Sequence, residues 1–366
     1  MTESGAPSTN GKRPRRRAMA AVAVLAAVIV LAAGFLINEY RSPAGEPVAA
    51  TQGAPSPGLG SPVPTLSAPG SAAPSSSVPS SSAKAPQASL GKTTLDAAGG
   101  FPGPGNTGVP SGTQLSAYSG PCTVTRNGFE VTGKIINCDP FMIRAQGVVI
   151  RKSLVKGTLT TTEATEFSFT LEDSEVSAGM WQGPAVLSTN MTIRRSNIHG
   201  GATAVTCAAN CDIRDSWLHG QLIPDNVDWH LGGFLANDTG DGGRSNVTLI
   251  HNTIACDAKS NNSGGGCSGN INLFADFGPV SGVTIRNNLL GANPDISYCL
   301  YGGATAGKAH TSGVRDIVVE DNVFQRGRNG KCGGYGPVTS FNSGLPGNRW
   351  KNNTWQDDGK PVAPAN

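Results

Sequence analysis

A short phrase recurs eight times between residues 149 and 355 of the chain: VIRKSLV, TLEDSEV, TIRRSNI, DIRDSWL, TLIHNTI, TIRNNLL, VVEDNVF and RWKNNTW. Each copy places one apolar residue three positions before a Ser or Asn and a second apolar residue two positions after it. The polar column is Ser153, Ser174, Ser196, Ser216, Asn252, Asn288, Asn322 and Asn353, at spacings of 21, 22, 20, 36, 36, 34 and 31 residues. Repeats of that period stack supersecondary units that cannot bury their apolar faces alone. Within a copy such as Val283-Thr284-Ile285-Arg286, apolar and polar residues alternate, which is a strand with one buried face. A polar residue fixed between two such strands marks a bend whose side chain can bond to its counterpart on the next coil. The sequence therefore predicts an all-β fold, a right-handed parallel β-helix (solenoid). A further coil is expected at Val131–Ile136 in the same register. A leucine-rich repeat would need helical return segments, which are absent.

Four stretches differ in composition. Residues 1–17 form a basic tail with Lys12, Arg13, Arg15, Arg16 and Arg17. Residues 18–37 are an uncharged apolar run, long enough to cross a bilayer as a single transmembrane helix, a signal anchor. Positive charge ahead of it places the N-terminus in the cytoplasm and the remainder of the chain outside. A signal peptide cleaved near Ala32-Ala33-Gly34, giving a secreted protein, is the alternative. Residues 38–97 are rich in Pro, Ser, Ala and Gly and read as a disordered linker. Residues 98–362 carry the β-helix domain. The formal charge of +3 is concentrated in the tail, so the exported part is near neutral and offers no nucleic-acid surface.

All eight cysteines lie beyond the linker. An even number outside a membrane reads as disulfides rather than metal ligands, and the clustered spacings of a zinc site are missing. Spacing alone does not fix connectivity, but register helps. Cys299 lies eleven residues after Asn288 and Cys332 ten after Asn322, which stacks them on adjacent coils. Cys256 and Cys267 bracket one loop, and Cys207–Cys211 and Cys122–Cys138 are local pairs.

Register also locates candidate chemistry. His199 and His219 each follow a ladder Ser by three residues, so their imidazoles should face outward one strand spacing apart, able to bind a sugar, share a proton or hold a metal. The longer interval after Ser216 carries Asp225, Asp228 and His230, and then Asp238 and Asp241. Paired carboxylates there could supply the acid and base of a glycosidase or ligands for Ca²⁺, although Asn-Asp-Thr-Gly-Asp-Gly-Gly also reads as turn chemistry. Asp276 is a further candidate, with Lys308 and His310 in a later loop. The column Lys152, Asp173, Arg195, Asp215 reads as a structural charge ladder.

The segments Phe101-Pro-Gly-Pro-Gly-Asn-Thr-Gly-Val-Pro-Ser-Gly-Thr, Tyr118-Ser-Gly-Pro-Cys122-Thr-Val, Asn137-Cys138-Asp139, Tyr335-Gly-Pro-Val-Thr-Ser-Phe and Gly347-Asn-Arg-Trp350 resemble the opening and closing coils of a group of actinobacterial exported right-handed parallel β-helix proteins. The resemblance covers roughly residues 98–362. It implies the pectin-lyase-like fold, whose characterised members mostly cleave or bind acidic polysaccharides, while this group is largely without established activity. Members often carry His-x-Asp-Gly-Ile/Phe after an Ile/Leu-His pair. Here the pair is Leu218-His219 and the segment is His230-Leu-Gly232-Gly233-Phe234, so Gly232 stands where the carboxylate would be. The polygalacturonase and pectate-lyase catalytic patterns are also missing, and a fold alone does not give an activity.

Three functions follow as expectations. The first is a membrane-tethered extracellular protein that binds polysaccharide or cell-wall glycan, with His199 and Asp225 among the binding groups. The second is an exported glycoside hydrolase or lyase using His219, His230, Asp228 and Asp276. The third is a structural envelope protein. No cofactor is implied, Ca²⁺ apart.

Overall fold

The computed structural model describes residues 100–161, 166–237 and 245–364. The basic tail, apolar run and linker lie outside the described residues, as do Asp238 and Asp241. Among the described residues the fold is all-β, with three parallel sheets of ten, nine and nine strands. The first sheet runs from Ser116–Ala117 to Thr354–Trp355, the second from Thr123–Val124 to Gly336–Thr339 and the third from Glu130–Thr132 to Arg349–Lys351. Each coil takes one strand from each sheet, and every strand pairs only with its counterparts on neighbouring coils. The extra coil at Val131–Ile136 is present, with Val131 opposite Ile150 and Ile136 opposite Val155.

The repeated phrase is the passage from third sheet to first. Ile150, Leu171, Ile193, Ile213, Leu249, Ile285 and Val319 fill the lumen from one side, and Val155, Val176, Ile198, Leu218, Ile254, Leu290 and Phe324 from the other, each fully buried. Side chains of this size contribute about 1.5–3 kcal/mol apiece when removed from water. Between them the chain turns at a residue of positive φ, from Lys152 (47°), Asp173 (50°), Arg195 (45°) and Asp215 (52°) to His251, Asn287, Asp321 and Asn352. The charge column is therefore a bend column. Six of its eight members are Asp, Asn or His, the non-glycine residues that enter the left-handed region most readily, and its side chains pair across coils, as Arg195 does with Asp173 at 2.7 Å and His251 with Asp215 at 2.7 Å.

The ladder residue that follows each bend is buried. Ser153 N–H donates to Ser174 Oγ at 3.1 Å, Ser196 N–H to Ser216 Oγ at 3.1 Å, and Asn252 N–H to Asn288 Oδ1 at 2.9 Å. Both ends of the lumen are closed. Tyr118 packs edge-on against Phe141 at one end. At the other, Phe341 and Trp350 meet at 5.3 Å, and Trp350 Nε1 donates to Val362 O at 2.8 Å. Closed ends of this kind keep a solenoid from stacking on a second copy.

An N-terminal strap crosses the outer face of the first sheet. Phe101 packs against Leu289, as do Trp217 and Val323, and lies 5.5 Å from the His251 ring. Further along, Gly108 N donates to Arg195 O at 3.0 Å. Gly108 has φ +82° and any Cβ there would sit 3.1 Å from Asn197 Cβ, so glycine is needed for this close crossing. Four disulfides join Cys122–Cys138, Cys207–Cys211, Cys256–Cys267 and Cys299–Cys332. These pairs coincide with those read from register and local spacing.

Candidate functional site

The corner between the first and second sheets departs most from regularity. In the coil of His199 it is only Gly200, Gly201 and Ala202, with φ of 86° and 64° at the two glycines. In the next four coils it swells into loops 220–229, 255–265, 291–297 and 325–335. Loops of irregular backbone need partners for their peptide groups, and asparagines supply them. Asn261 Nδ2 donates to Pro224 O at 2.7 Å and Val227 O at 2.6 Å, while its Oδ1 accepts from Ser263 N and Gly265 N. Asn293 Nδ2 donates to Cys256 O and Ala258 O, both at 2.9 Å. Asn329 ties Gly333 to Lys331 in the last loop. Cys256–Cys267 closes one of these loops and Cys299–Cys332 links two of them. Beneath lies a small second core of Ala202, Leu231, Cys256, Cys267 and Ile296, with Ile223 and Trp229 packed against it.

These loops enclose an open groove of about 420 Å³ lined by residues including His230, Ser260, Ser268, Asp295, Ser297 and Tyr335. Tyr335 is 76% exposed. Behind it runs a row of aromatic rings. Tyr335 lies 5.7 Å from Tyr298, Tyr298 5.5 Å from Tyr301, and Tyr301 5.4 Å from Phe274. Such tilted and edge-on contacts hold each ring by its neighbour, so Tyr335 presents a supported aromatic surface to solvent.

The second cluster is centred on the stacked histidines. His199 and His219 face each other across adjacent strands with ring centroids 5.6 Å apart. His199 Nε2 donates to Glu175 Oε1 at 3.0 Å, and His219 Nε2 to Asn197 Oδ1 at 2.9 Å. That bond leaves His219 Nδ1 as the acceptor, 3.9 Å from Asp257 Oδ2. The imidazole is stacked on Trp217 at 3.4 Å. Burial, with the charge of His199 second, lowers the pKa of His219 to about 3, so it is neutral at physiological pH. The hydrogen bond from His199 holds Glu175 below the usual carboxylate range against the opposing effect of burial. Burial raises Asp257, opposed by the Gly220 N–H that donates to its Oδ1 at 2.8 Å. Water still reaches 41% of that side chain, so the shift carries little energy.

The remaining candidates fall apart from one another. Asp225 and Asp228 are exposed on the 220–229 loop, and among the described residues neither carboxylate has a hydrogen-bond or ion-pair partner. Asp276 is paired with Lys308 Nζ at 2.7 Å and accepts from Asn237 Nδ2 at 3.3 Å. His230 opens the strand His230–Asn237, and Asn237 closes it. At about 3.3 Å per residue that strand separates His230 from Asp276 by roughly 23 Å, far beyond the 5–10 Å within which a hydrolytic pair must converge. His310 precedes the short helical turn Thr311–Gly313. Among the described residues no three His, Cys, Asp or Glu side chains converge as a metal site requires.

Sequence reasoning missed Glu175, Asn197 and Trp217, although the period of two puts them on the same outward face as the histidines. It also missed Asp257, Ser260, Asp295 and Tyr335, whose positions depend on loop folding. Comparison with protein-family models, with curated proteins and with solved structures found no match.

Proposed function

We propose that this chain is a membrane-tethered extracellular protein, a right-handed β-helix of the pectin-lyase-like kind, that binds polysaccharide in the groove between His230 and Tyr335. The observation that carries this reading is Tyr335, a ring 76% exposed and backed by Tyr298 and Tyr301, at the rim of an open groove with serine hydroxyls, one imidazole and one carboxylate. Flat aromatic faces beside fixed hydroxyl partners suit pyranose rings, which offer C–H faces and equatorial hydroxyls. Four disulfides favour an oxidising compartment outside the cell. Binding is favoured over hydrolysis by the distance from His230 to Asp276, which keeps these two from acting as one catalytic pair.

The test is retention of the full-length chain on a panel of insoluble plant, fungal and bacterial polysaccharides, with released ends measured in parallel. Retention without released ends is expected for at least one polymer, weakened about tenfold by Tyr335→Ala, the factor that the loss of one stacked ring of about 1.4 kcal/mol gives. Released ends that disappear in His230→Ala would establish an enzyme instead.

A further inference from the structure

Among the described residues five large hydrophobic side chains stand out as exposed, and four lie on one corner of the solenoid: Met180 (56%), Trp181 (43%), Leu222 (40%) and Tyr335 (76%). All four belong to segments that join the first sheet to the second. A soluble surface seldom gathers its exposed apolar side chains in one line without a ligand for them. Trp181 stands well away from the groove, in the coil whose second-sheet strand is Pro184–Ser188. Its Nε1 donates to Pro184 O at 3.2 Å, and its ring covers Gly183 so closely that any Cβ there would lie 2.1 Å from Cη2. The indole is thus laid down and fixed on its own loop with one face outward.

The corner between Trp181 and the groove is kept low. The next coil crosses it with Gly200 and Gly201, whose backbone is bonded directly to its neighbours: Gly201 N to Gly179 O at 2.7 Å and Leu222 N to Gly201 O at 3.0 Å. Both glycines are buried, and a Cβ on either would meet the backbone of Gly179 or Gly183, so this coil packs closely under the segment that carries Trp181 and raises no side chain between it and Leu222. The second-sheet strands that follow Trp181 and Tyr335 are five neighbours apart in the sheet. At about 4.8 Å per strand the two rings are separated by roughly 24 Å along the axis, the length of about five sugar rings. The charge of the groove limits what lies there. Its lining contains no Lys or Arg, and Asp295 contributes a carboxylate; Lys259, Arg326, Arg328 and Lys331 belong to the same loops but lie outside the lining.

We propose that the corner from Trp181 to Tyr335 is one extended binding trough for an uncharged glycan of about five or six rings lying parallel to the solenoid axis, with Trp181 as its far subsite. This rests on the glycan-binding reading of the groove and adds length, direction and charge preference to it. A uronate polymer is disfavoured because its carboxylates would face Asp295 in a lining that contains no cation.

The experiment measures affinity of the full-length chain for cello-oligosaccharides and N-acetylglucosamine oligomers of three and six rings, and for oligogalacturonides of the same lengths. For at least one uncharged series the six-ring oligomer should bind about tenfold tighter than the three-ring one. Trp181→Ala should abolish that gain and leave three-ring binding unchanged, with Trp181→Phe restoring most of it. Tyr335→Ala should weaken both lengths, and oligogalacturonides should bind at least tenfold more weakly. Unchanged thermal unfolding of Trp181→Ala is the control for folding. Equal affinity for three and six rings, or a Trp181→Ala loss independent of length, overturns the trough and leaves the groove reading standing. Oligogalacturonide binding as tight as the uncharged series overturns the charge preference alone. Absence of binding to every oligomer overturns both the trough and the groove.

Discussion

His219 shows how one residue can be legible in position and illegible in state. Its outward direction and its place beside His199 follow from the spacing to Ser196 and Ser216. Its neutrality does not, because it depends on Trp217 stacked against one face, on His199 beside it and on the burial of a side chain only 15% exposed. A histidine whose folded pKa is depressed gives stability that is complete above its unfolded value of 6.5 and is lost as pH falls toward the folded value of about 3. In that window the unfolded chain binds the proton and the folded chain does not. Glu175, held below its ordinary value, loses its contribution lower still, while Asp257, raised, works in the opposite direction. Urea unfolding midpoints of the full-length chain should therefore fall between pH 7 and pH 4.5, and the fall should be smaller in His219→Gln. The difference is expected on the order of 1–2 kcal/mol. Equal pH slopes in the two proteins would mean that His219 titrates normally.

At the scale of the coil, the repeated phrase announced almost everything regular. Apolar alternation gave the strands, the polar column gave the bend, and constant register brought Cys299 over Cys332. What could not be read was that the polar ladder contains two different devices. A ladder serine accepts the N–H of the preceding coil and returns its hydroxyl proton locally, as Ser174 Oγ does to Glu172 O at 2.7 Å. A ladder asparagine bonds in both directions. Asn288 Nδ2 donates to Leu249 O and to Asn322 Oδ1, both at 2.9 Å, and its Oδ1 accepts from Asn252 N. Asn288→Ala should therefore cost about 3 kcal/mol, since it strands several buried groups, and Ser174→Ala about 1 kcal/mol. Urea denaturation of both variants checks this, and equal losses would contradict the distinction. The loops on the first-to-second corner were legible only as interruptions. Asn261 and Asn293 satisfy backbone carbonyls on neighbouring loops, and that kind of bond leaves no periodicity in sequence. For this reason Asp225 and Asp228 looked as promising as Asp295, although only Asp295 reaches the groove.

For the three-sheet fold as a whole, the regular faces and the irregular loops are segregated. The third sheet is a lattice of paired charges, including Arg151 with Glu172 at 3.0 Å and Arg286 with Glu320 at 2.6 Å. The outer face of the first sheet is crossed by the N-terminal strap, and both ends of the lumen are closed. The first-to-second corner is where Trp181 and Tyr335 stand open and the loops are pinned in place by asparagines. A solenoid supplies such a corner with a fixed repeat, so a polymer can be matched along its length rather than at one point. The measurement that tests this most directly is amide hydrogen exchange on the full-length chain, with and without the six-ring oligomer that binds it. Protection should appear along one line, in residues 179–183, 220–230, 257–268, 292–297 and 326–335, and leave the third sheet unchanged. Protection centred on the third sheet, or confined to the loops around Tyr335 with none near Trp181, would contradict an axial trough along this corner.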